Sequence, residues 1–185
     1  DGCTLSIDKD IEQGETSWHV NMFEPLHNRK CIYADELGSL WVDTNSKGNS
    51  KIRGNGFMFL CYQAIAGDVS DGYKGLNGVG GKTAYFALKD CESKLECLKA
   101  LERLYLKKVQ KGYICKKLKE NNKNPEVGLK VLPEKGIFKY ISWDGALQHR
   151  TVHQLMEQHI RLAYQERNPS DVFLLSDYLE DETYG

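Results

Sequence analysis

The sequence predicts an α+β fold: a mainly antiparallel β-sheet with one central amphipathic helix, followed by a C-terminal helical segment. Three patterns carry this. Trp18, Val20 and Met22 alternate with polar neighbours, the period of a half-buried strand. Leu95, Leu98, Leu101, Leu104 and Tyr105 recur at threes and fours, the period of a helix with one apolar stripe. Strand-like residues return over Ile137 to Trp143, behind Pro133 and Gly136. Strands, a central helix and more strand make an α+β order.

Element by element, the first strand is the one around Trp18. Cys31-Ile32-Tyr33 follows a Pro25/Asn28 turn signal. Leu40-Trp41-Val42 precedes an Asn-, Ser-, Lys- and Gly-rich stretch, 45–56, that reads as a loop. Phe57 to Tyr62 is short and aromatic and reads as a strand buried on both faces. Gly75 to Gly81 punctuates the chain, and Thr83 to Leu88 reads as a further strand. The central helix starts near Asp90 as N-cap, with Glu92 in its first turn. Lys107 and Lys108 complement its carbonyl end, and Gly112 closes it. A second helix covers 151–164, its stripe made of Val152, Leu155, Met156, Ile160 and Tyr164, and 171–179 adds a short piece. The organisation expected is a lead-in with one strand (1–30), a domain (31–146), and a helical segment with an acidic tail (147–185).

Composition narrows the function classes. Of 185 residues, 41% are hydrophobic and 10% aromatic, enough for a real core, and only 4 are Pro. The 25 Lys and Arg nearly balance 26 Asp and Glu, for a net charge of -1. That balance excludes a uniformly basic coat and an acidic disordered chain. No apolar run approaches the length of a membrane span, and the opening Asp1-Gly2-Cys3 lacks the basic-then-apolar order of a signal peptide. A soluble chain with no membrane partner is expected. The balance conceals an asymmetry: from Lys74 to Asn124, thirteen bases stand against five acids, so that window carries +8. The chain from Asp171 onward has five acids and no base. A basic middle and an acidic end suit contact with a polyanion, or a solvated helix face with a solubilising tail.

The six cysteines, at 3, 31, 61, 91, 97 and 115, are widely spread and include no C-x2-C pair. Free core-filling thiols, disulfides and metal ligation are the three options, and the spacing favours the first. Cys91 and Cys97, placed six apart on one helix, would diverge. His149, His153 and Glu157 fall at i, i+4 and i+8 of the predicted 151–164 region, a spacing able to hold a metal, although no Glu lies between the histidines as in a zincin. Cys31 or Cys61 with a distant His would make a nucleophile pair that nothing local supports. No catalytic residue, cofactor or metal is expected.

The informative stretch is Gly75-Leu76-Asn77-Gly78-Val79-Gly80-Gly81-Lys82-Thr83. Gly81-Lys82-Thr83 supplies the end of a Walker loop, but Leu76 stands where its first glycine belongs, and a strand rather than a helix is expected to follow. Glycines instead recur every three residues, at 75, 78 and 81. With the amphipathic helix closing on Tyr105-x-x-Lys108-x-x-x-x-Tyr113, and with Pro133-Glu134-Lys135-Gly136 entering the strand Ile137 to Ile141, the order resembles the WGR domain of poly(ADP-ribose) polymerases. Tyr33 to Leu37 and Asn55 to Gln63 are similar to that family's first strands, so the likeness spans about residues 30 to 146. The family's Trp and Arg flank the first glycine, where this chain has Lys74 and Leu76, and its Gln after the third glycine is Lys82.

The resemblance implies a non-catalytic nuclear module that engages DNA ends or breaks, linked to DNA repair and ADP-ribosylation signalling, with DNA favoured over RNA. The transferase region of those polymerases has no counterpart here. The physical case stands beside it. A glycine turn lets backbone amides approach phosphates, and Lys74, Lys82, Lys108 and Lys111 would neutralise them with release of counterions. Tyr113 would stack on a base, or serve as a helix-end core residue. The expected nucleic-acid-binding set is Lys74, Gly75, Gly78, Gly81, Lys82, Lys108, Lys111 and Tyr113. Replacement of the family Arg by Leu76 supports an alternative, a protein-interaction module with a WGR-like fold, and the 151–164 helix is a candidate surface for a protein partner.

Overall fold

The computed structural model describes residues 3–6, 17–21, 31–34, 37–68, 72–73, 75–76, 78–110, 130–132, 137–141, 147–164 and 172–179. The α+β class holds, with small sheets and a larger helical share than one central helix. Strands β1 (Cys3–Ser6), β2 (Ser17–Asn21) and β3 (Cys31–Ala34) form one sheet. In it β1 runs parallel to β2, and β2 antiparallel to β3. Strands β4 (Ser39–Thr44) and β5 (Ser50–Asn55) form an antiparallel hairpin, Ser39 opposite Asn55. The third sheet has the order β6 (Lys130–Leu132), β7 (Ile137–Ile141), β8 (Leu147–Thr151), antiparallel throughout. The helices are α1 (Gly56–Ala66), α2 (Gly81–Leu88), α3 (Lys94–Gln110) and α4 (Val152–Ala163).

Two expected strands are helices. The Phe57–Tyr62 run belongs to α1, whose residues from Gly56 to Cys61 and from Gln63 to Ile65 are all buried. A run apolar on every side suits a buried helix as well as a buried strand, and periodicity cannot separate them. Length does: the run continues through Ala64, Ile65 and Ala66, eleven residues in all. Asn55 is extended and turns its side chain away from the helix, accepting from the Ser39 amide at 2.8 Å. The Met58 amide, in the open first turn, donates instead to the Leu37 carbonyl at 2.8 Å. Thr83–Leu88 likewise lies in α2. Its buried residues are Ala84 and Leu88, one helical turn apart, and that spacing outweighs the β-propensity of Thr83 and Tyr85.

Three further expectations need correction. Stretch 45–56 is not one loop, because Asn45 ties a tight turn and β5 follows. Asn45 Oδ1 accepts from the amides of Lys47 and Asn49, each at 3.0 Å, an Asx-type turn. The central helix starts at Lys94, not at Asp90. Ser93 Oγ accepts from the Glu96 amide at 3.2 Å and does the capping, while Asp90 pairs with Lys89 in the preceding turn. Leu95 faces solvent rather than the core, which takes Cys97, Leu98, Leu101 and Tyr105. Gly112, the expected close of α3, lies outside the described residues.

The core sits where α1 is wrapped by α2, α3, α4 and the β4–β5 hairpin. Val152, Leu155, Met156 and Ile160 of α4 are buried against it, each contributing on the order of 2 kcal/mol. The apolar stripe proposed as a partner surface is therefore spent inside the chain. Helix α4 begins with a full capping box, Thr151 Oγ1 to the Gln154 amide at 3.2 Å and Gln154 Oε1 to the Thr151 amide at 3.0 Å. The segment 172–179 docks on α1 and α4: Phe173 lies 6.3 Å from Phe57, Arg161 Nε donates to the Phe173 carbonyl, and Glu157 accepts from the Leu175 amide.

Candidate nucleic-acid interface

The glycine stretch is held at both ends by its apolar residues. Leu76 and Val79 are buried, the Leu76 amide donates to the Ile65 carbonyl of α1 at 2.8 Å, and the Val79 amide to the Leu76 carbonyl at 3.0 Å. That docking explains Gly75, where a Cβ would stand 2.1 Å from the Ile65 carbonyl oxygen. Between the anchors the chain turns outward at Gly78, which is exposed with φ 73°, a conformation that strains any β-branched residue. The turn then opens α2. Gly80 is its N-cap, with no side-chain cap, and its carbonyl receives the Thr83 and Ala84 amides at 2.9 and 3.1 Å. The positive end of the helix dipole and an exposed Lys82 thus come together at the surface.

Helix α3 reaches the same place. Lys108 Nζ donates to the Gly78 carbonyl at 2.9 Å, across thirty positions of sequence. Complementing the α3 dipole is therefore not all that Lys108 does; it clamps the turn. Of the expected set, Gly75, Gly78, Gly81, Lys82 and Lys108 belong to this one region. Gly81 is the first residue of α2, and a Cβ there would lie 2.4 Å from Tyr62 Oη. Lys74, Lys111 and Tyr113 lie outside the described residues. Leu76, in the place of the family's Arg, points into the core.

The helix at Gly81-Lys82-Thr83 removes one objection to a Walker loop. Two others remain in the structure: Leu76 occupies the place of the first glycine as a buried anchor, and the element before the turn is helix α1, not a strand. The segments that resemble the first WGR strands include α1, so the likeness there is one of sequence and not of element type.

The other constellations resolve into structure. His149 lies in β8 and only His153 and Glu157 in α4, so the triplet does not share a helix. His153 Nε2 meets Glu102 Oε1 at 2.8 Å, and Glu157 serves Arg161 and Leu175. Among the described residues no group of three His, Cys, Asp or Glu is placed to hold a metal. Cys61, Cys91 and Cys97 are free. Cys91 precedes α3 instead of sharing it with Cys97, and its Sγ donates to the Ala87 carbonyl at 3.8 Å. Burial holds the Cys61 thiol well above its usual range and pushes Cys91 up to about 12, the wrong direction for a nucleophile. Hydrogen bonding from Cys61 shifts Cys97 down, but that sulfur is fully buried.

One polar pair escaped the sequence reading. Tyr105 and His159 are both buried, and Tyr105 Oη lies 2.6 Å from His159 Nδ1. Burial lowers His159 to about 4, so the neutral ring accepts from the hydroxyl. Nothing in either residue's neighbourhood in sequence marks a partner 54 positions away.

Comparison with protein-family models, with curated proteins and with solved structures finds no match to the chain. No helix among the described residues is long and apolar enough to cross a membrane. What the arrangement offers chemically is donors and positive charge at one exposed turn, suited to binding an anion.

Proposed function

We propose that this chain is a non-catalytic nucleic-acid-binding module that recognises DNA ends or breaks, acting in the nucleus beside ADP-ribosylation signalling. The observation that carries the reading is the Lys108–Gly78 hydrogen bond, which joins the C-terminal part of α3 to the exposed turn opening α2. In this reading phosphate oxygens accept from the Gly81 and Lys82 amides that open α2 and from the Lys82 ammonium. Lys108 positions the turn, and the +8 of the surrounding window supplies longer-range attraction. The DNA-end specificity and the nuclear setting rest on the WGR resemblance alone.

A second reading has its own observation. Leu76 is buried where the family carries an Arg, which favours a WGR-like interaction module without DNA contact. Titration of labelled nicked, blunt and single-stranded DNA, with RNA as comparison, separates the two. Tightest binding to nicked or blunt duplex at low salt is expected. No binding to any of them, together with a protein partner that stays bound in nuclease and high salt, selects the second reading.

A further inference from the structure

Beyond the turn, α3 carries a row of cations. Lys99, Arg103 and Lys107 are all exposed and recur every four residues, a step of about 6 Å along a helix axis. The three therefore share one solvent face over about 12 Å. The acids nearest them are engaged elsewhere: Glu102 pairs with His153, and Glu96 Oε2 accepts from the Glu92 amide at 2.7 Å. Among the described residues no ion pair involves Lys99, Arg103 or Lys107. The helix dipole accounts for Lys107 in the last turn, but it gives no reason for Lys99, six residues into α3, or for Arg103.

We propose that Lys99, Arg103 and Lys107 form a phosphate-contacting track along α3 that leads toward the Lys108-clamped glycine turn, so that bound nucleic acid runs along this helix. The inference rests on the nucleic-acid reading and deepens it: the track is assigned to phosphate contacts, which fix register and orientation and carry no sequence information of their own. The row also adds three contacts that the turn alone lacks.

The test compares the parent with a Lys99→Gln/Arg103→Gln/Lys107→Gln variant, and with a Lys47→Gln/Lys51→Gln control on the β4–β5 hairpin, where both lysines are exposed. Binding to a nicked DNA duplex is followed by fluorescence anisotropy across a salt series, with a poly-glutamate peptide as the competing ligand. Each lost phosphate contact flattens the log–log salt slope by about 0.9. The triple variant is expected to flatten it by about two to three, with at least tenfold weaker binding at low salt and an unchanged melting temperature. The control should leave the slope nearly unaltered. If the triple variant unfolds, the three single changes are measured, each expected to remove about one slope unit. A parent that binds DNA with a slope insensitive to these changes overturns the track and leaves the turn intact. A parent that binds no nucleic acid overturns both, as does track-dependent binding of poly-glutamate alone.

Discussion

Buried between α3 and α4, His159 is a base that the fold keeps uncharged, and this links stability to pH. Its pKa is lowered from 6.5 to about 4 by desolvation, so the native chain binds fewer protons there than the unfolded chain between those values. The His159 contribution is fully present above about pH 6.5 and is lost as pH falls toward 4, by about 3 kcal/mol in the limit. Glu102 and His153 face each other across the same helix pair, so the effect is read as a difference between proteins. Urea unfolding of the parent and of His159→Gln at pH 7.5 and pH 4.5 measures it. The parent should lose more stability than the variant on acidification, while at neutral pH the variant should be the weaker of the two. An equal loss in both would mean that His159 is not the group that titrates. No local pattern signals this residue, because its role comes from a tyrosine hydroxyl on another helix.

At the scale of elements, the sequence exposes periodicity and hides burial. The α3 and α4 stripes were legible because their apolar residues recur at threes and fours against polar neighbours. The strand at Ile137 was legible from the Pro133 and Gly136 signals before it. Helix α1 was not, because a segment apolar on all sides has no face to reveal its period. Misreading α2 as a strand followed from three β-favouring residues, Thr83, Tyr85 and Phe86, in an eight-residue element, and it concealed that Gly81-Lys82-Thr83 opens a helix. The glycine turn itself was read from its spacing; that Leu76 and Val79 dock it into the core was not. Leu76→Arg tests that docking. An Arg at this position puts an unpaired charge where Leu76 is 3% exposed, a change of the class that destabilises by more than about 4 kcal/mol. Denaturant midpoints should fall sharply with no gain in DNA affinity, whereas exposed Lys82→Ala should shift stability by under about 0.5 kcal/mol. A stable Leu76→Arg protein with tighter binding would place position 76 on the surface.

For the molecule as a whole, the sequence conveyed the α+β class and the uneven charge, and the structure adds where the charge lies. Cations gather on α3 and at the start of α2, while the described part of the acidic C-terminal stretch, 172–179, docks on α1 and α4. There its aromatic rings lie against Phe57, and Lys94 Nζ stands 5.3 Å from the Phe57 ring and 5.8 Å from that of Tyr178. Those eight positions hold one acid, Asp177, and their apolar residues anchor them on the core. The central claim is that this turn and the cations around it bind nucleic-acid phosphates. It is tested most directly by the affinity of the unmodified chain for a nicked duplex, measured from about 50 to 200 mM salt. Log affinity is expected to fall linearly with log salt, with a slope of several units set by the number of phosphates neutralised. Affinity that does not change with salt, or no binding at the lowest salt, would contradict it.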